Sequence, residues 1–202
     1  MAISNWIEFT TLILNFSGHG YFEYSSFKIP EKKMKKAEQI DELIIKKYPE
    51  VKYNKDKRYR CKKAGLANFT YIRWNNVGVI LRTAGNVQAR HDADKFINLC
   101  EVPLTFTVGS MIEIKIAKGK AGRKFTAFLS KQSFREIKAI LRENIRHHRM
   151  DIAKMYWDHL GSLPAFGGIL GQIMELFKWL KVETKVAGVK KWIWCRLVLR
   201  PL

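Results

Sequence analysis

The sequence predicts an α+β fold, in which an N-terminal helix and antiparallel β-hairpins precede a helical C-terminal half. Apolar residues recur at helical spacing over residues 31–48. Within residues 69–129, two pairs of strand-like segments are each joined by turn residues. Helical spacing returns after Ser130. At 202 residues and 47% hydrophobic composition, the chain can bury a core. The change of pattern divides it into a mixed α/β region, 1–130, and a helical region, 131–202, unless the two form one continuous domain.

The first predicted helix runs from Glu31 to Tyr48. Pro30 suits the first turn of a helix, and Pro49 ends the pattern. Within it, apolar residues recur every three or four positions with lysines on the other side, at Met34, Ala37, Ile40, Ile44, Ile45 and Tyr48. The aromatic residues that follow Gly20 indicate a strand or an aromatic loop before this helix.

Two hairpins are predicted next. The runs Phe69–Trp74 and 77–83 flank Asn75 and Asn76, and asparagine tolerates the positive φ that tight hairpin turns need. The second hairpin lies within 104–129, with a turn at 119–122. There, Ile112, Ile114 and Ile116 alternate with polar residues, as in a half-buried strand.

Helical spacing then extends from Ser130 to about His159. Glycine and proline interrupt the pattern at Gly161, Pro164, Gly167 and Gly168. We expect a further apolar helix over 169–182 and a closing strand over 192–199.

The positive charge is regional. The chain has a formal net charge of +19, and residues 51–150 contribute 22 basic and seven acidic residues, a net of +15. A polyanion would neutralise such a face, so the composition predicts a nucleic-acid partner, DNA or RNA, held mainly through its phosphates.

Cysteine usage and hydropathy limit the compartment. Cys61, Cys100 and Cys195 form no C-x-x-C pair, which argues against a zinc ribbon and against a secreted disulfide scaffold. Neither a basic leader nor an uncharged run of about 18 apolar residues occurs. We therefore expect a cytoplasmic or other reducing compartment that contains nucleic acid.

Three basic segments are predicted to contact phosphate. The first is the segment 52–63, expected to be a loop or extended arm, in which the tyrosines Tyr53 and Tyr59 accompany the cations Lys55, Lys57, Arg58, Arg60, Lys62 and Lys63. Arg73 follows on a predicted strand, between Tyr71 and Trp74. The second is a hairpin tip, Lys118, Lys120, Arg123 and Lys124. The third is a helical stripe, Lys131, Arg135, Lys138, Arg142, Arg146 and Arg149, which lacks acidic i,i+4 partners in the sequence.

An enzymatic alternative depends on Glu113 and Lys115, which share one face of a predicted strand. This spacing resembles the E-x-K element of Mg²⁺-dependent restriction-like nucleases, with Asp92 or Asp94 as the second carboxylate. An exposed Glu/Lys pair is the simpler explanation. Binding alone requires no cofactor, and the histidines form no H-E-x-x-H motif.

The apolar run at 163–180 leaves further alternatives open. It contains only Glu175 and Lys178 as charged residues, a composition found in interfacial membrane helices. A core helix is the more common role of such a run, and self-association or a protein partner could also use the segment 163–182.

Overall fold

The structure, a computed structural model, describes residues 2–88, 91, 94–109, 112–119, 122 and 124–189. Helices and antiparallel strands occur in the predicted order, so the α+β class is confirmed. The chain divides into two compact units, Met1–Leu104 and Thr105–Leu202. The change of pattern at residue 130 falls within the second unit, between a strand and a helix.

The first unit is a sheet with helices. Its elements are β1 (Ala2–Ile3), α1 (Trp6–Gly18), β2 (Glu23–Lys28), a 3-10 helix (Glu31–Lys36), α2 (Ala37–Lys47), a second 3-10 helix (Pro49–Lys52), α3 (Lys55–Lys63), β3 (Phe69–Trp74), β4 (Val77–Arg82) and β5 (Ile97–Asn98). The strand order is β1-β3-β4-β2-β5, with β1 parallel to β3 and the other pairs antiparallel.

The predicted hairpin around the Asn-Asn pair is confirmed. β3 and β4 pair in register from Phe69 opposite Arg82 to Trp74 opposite Val77. Asn75 adopts φ 50°, the left-handed conformation that asparagine accepts more readily than most residues. The two strands bury side chains on both faces, so they lie at the centre of the first unit.

Two helical regions of the first unit differ from the prediction. The predicted helix 31–48 is divided into a 3-10 helix and α2, because Lys36, the last residue of the 3-10 helix, has φ −107° and ψ 16°. The lysine-rich 3-10 segment buries no residue, so packing does not impose α-helical geometry on it. α1 was not predicted; it is capped by Asn5 and buries Phe9 and Ile13 completely.

The second unit is a three-stranded meander followed by helices. The elements after Pro103 are β6 (Leu104–Val108), β7 (Ile112–Lys118), β8 (Phe125–Leu129), α4 (Lys131–Arg146), α5 (Met150–Leu160) and α6 (Gly167–Val186). β7 lies between β6 and β8, so the predicted second hairpin is confirmed. Ile114 and Ile116 are fully buried, as their alternation predicted.

The helical half differs in detail from the prediction. A single helix through His159 was expected, but the chain breaks at His148, which has φ 54°, and α5 starts two residues later. α6 is longer than the predicted range 169–182. The predicted strand 192–199 lies outside the described residues.

Helix α6 covers the free edge of β8. The side-chain amide of Gln172 accepts from the backbone N–H of Leu129 at 2.8 Å and donates to its carbonyl at 3.0 Å, as a neighbouring strand would. Gly168 permits the approach, since a Cβ there would lie 2.4 Å from the carbonyl oxygen of Ala127. α6 is therefore a core element of the second unit.

Candidate nucleic-acid interface

The basic segment expected to be a loop or extended arm is largely helical, so that prediction was wrong. α3 spans Lys55–Lys63 and follows the 3-10 helix that ends at Lys52. Asn54 caps it by accepting from the backbone N–H of Lys57 at 2.9 Å, and Gly65, at φ 71°, ends it. Lysine and arginine are good helix formers, and this propensity outweighs their mutual repulsion once the ends are capped.

One cation of α3 attaches the helix to its own unit. The Nη2 of Arg58 donates to the carbonyl of Val51 at 3.2 Å, and its guanidinium lies 5.9 Å from the centroid of the Phe16 ring. The carbonyl of Arg58 accepts from Nδ2 of Asn68 at 3.0 Å. Arg58 therefore orients α3 so that the other cations of this helix are exposed to solvent.

The outward face of α3 combines three lysines with one aromatic ring. We call this set, Lys55, Tyr59, Lys62 and Lys63, the α3 platform. The lysines lie four residues before and three and four residues after Tyr59, so all four side chains share one face. All are exposed, and the exposed fraction of Tyr59 is 68%. The ring is thus open to a ligand and surrounded by positive charge.

A shallow groove of about 480 Å³ follows the flank of the same helix. Cations and small or apolar side chains line it together: Lys57, Arg60, Cys61, Ala64 and Leu66. The ammonium of Lys57 lies 3.8 Å from the centroid of the Tyr53 ring, so this predicted binding tyrosine is half-buried beneath a lysine. No pattern in the sequence indicates the groove, because Leu66 reaches it only through the turn at Gly65.

Arg73, predicted as a phosphate contact, is buried in the sheet. Its Nε and Nη2 each donate to Asp41 at 2.8 Å, and its Nη1 donates to the carbonyl of Asn75 at 2.9 Å. Burial alone would raise the pKa of Asp41, but hydrogen bonds from Arg73 and Tyr71 outweigh it and hold that pKa below its ordinary value. The guanidinium is already occupied, so we leave Arg73 out of the interface.

The helical stripe of the second unit is partly engaged in internal contacts. Lys131, Arg135, Lys138, Arg142 and Arg146 belong to α4, but Arg149 lies beyond its end and its Nη2 contacts Glu143 at 3.2 Å. No acid lies at i,i+4 from these cations, but an acid of α6 pairs with two of them, since the Nε atoms of Arg142 and Arg146 lie 3.1 and 3.3 Å from Oε1 of Glu183.

An aromatic ring of α6 holds the middle of the same stripe. The Lys138 ammonium lies 5.1 Å from the centroid of the Trp179 ring, and the Arg142 guanidinium lies 5.2 Å from it. Such contacts attach the stripe to α6 by cation–π attraction. Lys131 and Arg135, seven and three residues before Lys138, are exposed at the start of α4.

Two cations of the predicted hairpin tip, Lys118 and Lys124, lie within the described residues. Lys118 and Lys124 are exposed on either side of the turn, and the backbone N–H of Gly119 donates to the carbonyl of Lys124 at 2.8 Å. Lys120 and Arg123 lie outside the described residues.

The enzymatic alternative receives no added support. Glu113 and Lys115 lie on the same half-exposed face of β7, and the backbone N–H of Glu113 donates to Oγ of Ser133. Asp94 accepts from the hydroxyl of Tyr48 at 2.6 Å and forms an ion pair with Lys47. Within the described residues, no three of the His, Cys, Asp and Glu side chains are grouped to hold a metal ion, and Asp92 lies outside them.

Sequence reasoning missed a buried polar cluster in the first unit. The His91 ring stacks on Tyr48, with centroids 4.7 Å apart, and its nitrogens lie 3.4 Å from Oε1 of Glu50 and 3.5 Å from Oδ2 of Asp94. Burial alone would raise the pKa of Asp94, but hydrogen bonds from Lys47 and Tyr48 lower it. Because Glu50 and His91 lie 41 positions apart, no spacing pattern in the sequence could reveal the cluster.

The apolar run that left a membrane role open faces the interior of the second unit. Leu163, Phe166, Ile169, Ile173, Leu176 and Leu180 are all buried. Among the described helices, none is long and apolar enough to cross a bilayer.

Comparison with known proteins gives no relative. No protein-family model matches the sequence, and neither the curated proteins nor the solved structures contain a significant match to it.

Proposed function

We propose that the protein binds nucleic acid, mainly through the phosphate backbone, and that the α3 platform of the first unit is a principal contact surface. The observation that carries this proposal is the arrangement of Lys55, Lys62 and Lys63 around Tyr59 on the open face of a capped helix. Three ammonium groups at helical spacing repel one another, and a row of phosphates would relieve that repulsion.

Additional cations support the proposal in the second unit. Lys131 and Arg135 are exposed at the start of α4, and Lys118 and Lys124 are exposed beside the β7–β8 turn. Arg142 and Arg146 contribute less, because Glu183 already neutralises part of their charge. The net charge of +19 gives the whole chain an attraction for polyanions on which these local contacts build.

The test is the salt dependence of binding to labelled oligonucleotides. If six to ten phosphates are neutralised, affinity falls by about 10³-fold or more between 50 and 200 mM salt. Changing Lys55, Lys62 and Lys63 together to glutamine should reduce the slope of log K against log salt by about two to three. Thermal unfolding should change little, since exposed charges contribute little to stability.

The chain offers a matched control for charge. Lys32, Lys33 and Lys35 are exposed on the first 3-10 helix of the same unit, and their change to glutamine removes the same three charges. We expect this variant to keep most of the wild-type slope. Equal losses in both variants would show attraction by net charge alone, and would contradict the assignment of the α3 platform.

A further inference from the structure

The α3 platform contains an exposed aromatic ring, which single-stranded and double-stranded nucleic acid can contact in different ways. Lysine ammonium groups bind the phosphates of single and double strands alike, but an exposed ring can stack only on an unpaired base. Tyr59 exposes 68% of its surface, although water is a poor environment for a ring of this size.

The flanking groove supplies a second place for a base on the same helix. At 100° per residue, Arg60 lies about 100° around the helix from Tyr59, and Lys57 and Ala64 lie about 140–160° around. Arg60 thus stands between the ring and the groove. Cys61, Ala64 and the partly exposed Leu66 line the groove together with the cations Lys57 and Arg60. A weakly polar base and its flanking phosphates are complementary to a groove that combines apolar side chains with cations.

We propose that α3 binds single-stranded nucleic acid across its axis. One base stacks on Tyr59, a neighbouring base occupies the groove beside Leu66, and Arg60 holds phosphate between them. This inference rests on the proposed function and adds strandedness to it.

The experiment compares single strands with duplex. Fluorescence anisotropy is measured for the full chain with oligothymidylate and oligouridylate of about 12 nucleotides and with a duplex of equal length, at one salt concentration. Tyr59→Ala should lower single-strand affinity by about fivefold to a hundredfold, while Tyr59→Phe stays within about twofold of the wild type. Neither change should alter duplex affinity by more than about twofold.

A second variant tests the groove without removing a charge. Ala64→Gln places a longer side chain in the groove, at an exposed position just beyond the last residue of α3. It should lower single-strand affinity severalfold and leave duplex affinity unchanged. Leu43→Ala is the control, because Leu43 is 65% exposed on α2 in the same unit and should not affect binding.

The outcomes separate this inference from the proposed function. It is overturned if Tyr59→Ala lowers single-strand and duplex affinity by the same factor, or if phenylalanine does not restore binding. If the triple lysine variant lowers the affinity for both the single strand and the duplex, while Tyr59→Ala and Ala64→Gln lower neither, the proposed phosphate contacts are supported and the single-strand assignment is contradicted. Absence of binding in the wild type would contradict both.

Discussion

Asp41 and Arg73 are joined by two parallel hydrogen bonds, from Nε to Oδ1 and from Nη2 to Oδ2, each 2.8 Å long. The pair attaches α2 to strand β3, and the side chains of Asp41 and Arg73 are only 15% and 10% exposed. The hydroxyl of Tyr71 also donates to Oδ1 of Asp41, at 2.6 Å. This geometry makes Arg73 a structural residue.

Removal of Asp41 should destabilise the first unit. Asp41→Ala leaves a guanidinium in a largely buried position without its carboxylate, and we expect the free energy of unfolding to fall by about 3 kcal/mol. Urea unfolding at neutral pH measures the change. Replacement of both partners, by Asp41→Leu with Arg73→Met, should recover much of the loss. A single variant as stable as the wild type would show that the pair contributes nothing.

The same pair predicts a pH dependence. The folded-state pKa of Asp41 lies below its unfolded value, so its stabilising contribution is fully present above the unfolded pKa and is lost as pH falls through the folded pKa. The stability difference between the wild type and Asp41→Asn should therefore shrink between neutral pH and about pH 3. Urea unfolding of both proteins at several pH values would reveal it, and a difference independent of pH would contradict it.

A close contact within the sheet predicts an effect of packing. Phe27 of β2 lies opposite Gly78 of β4, where a Cβ atom would come within 2.1 Å of the Phe27 ring. Gly78→Ala should thus lower the free energy of unfolding by about 1–3 kcal/mol. The double variant with Phe27→Leu should be less affected than the sum of the single changes, as measured by denaturant unfolding. Additive effects would show that the ring moves aside without cost.

Local patterns in the sequence predicted part of this fold. The Asn75 turn and the alternation around Ile114 are encoded within a few residues, so both hairpins were found. α3 was not predicted, because its many charges were interpreted as a loop although the segment is a capped run of good helix formers. Its inward-facing residue, Arg58, contacts Phe16, which lies about forty positions away in the sequence. The break at His148 depends on one left-handed residue within a continuous helical pattern.

The candidate interface was predictable in composition but not in geometry. The sequence locates clusters of cations in three segments, but it cannot show which of these cations form contacts within the protein. Arg73 donates a hydrogen bond to Asp41 of α2, and Arg142 donates one to Glu183, which lies 41 positions later in the sequence. The exposure of Tyr59 and burial of Tyr71 likewise follow from tertiary packing.

The positive charge that the α4 stripe can offer to phosphate depends on Glu183. This carboxylate is 12% exposed and contacts Arg142 and Arg146, whose side chains are 46% and 64% exposed. Glu183→Gln keeps the shape of the side chain and removes the charge that competes with phosphate. If the stripe contacts nucleic acid, affinity should rise severalfold, and the slope of log K against log salt should steepen by about one to two. The control is Glu175→Gln, an exposed acid on the same helix with the same change in net charge. An equal gain in both variants would indicate net charge alone, and no gain in either would place the stripe outside the interface.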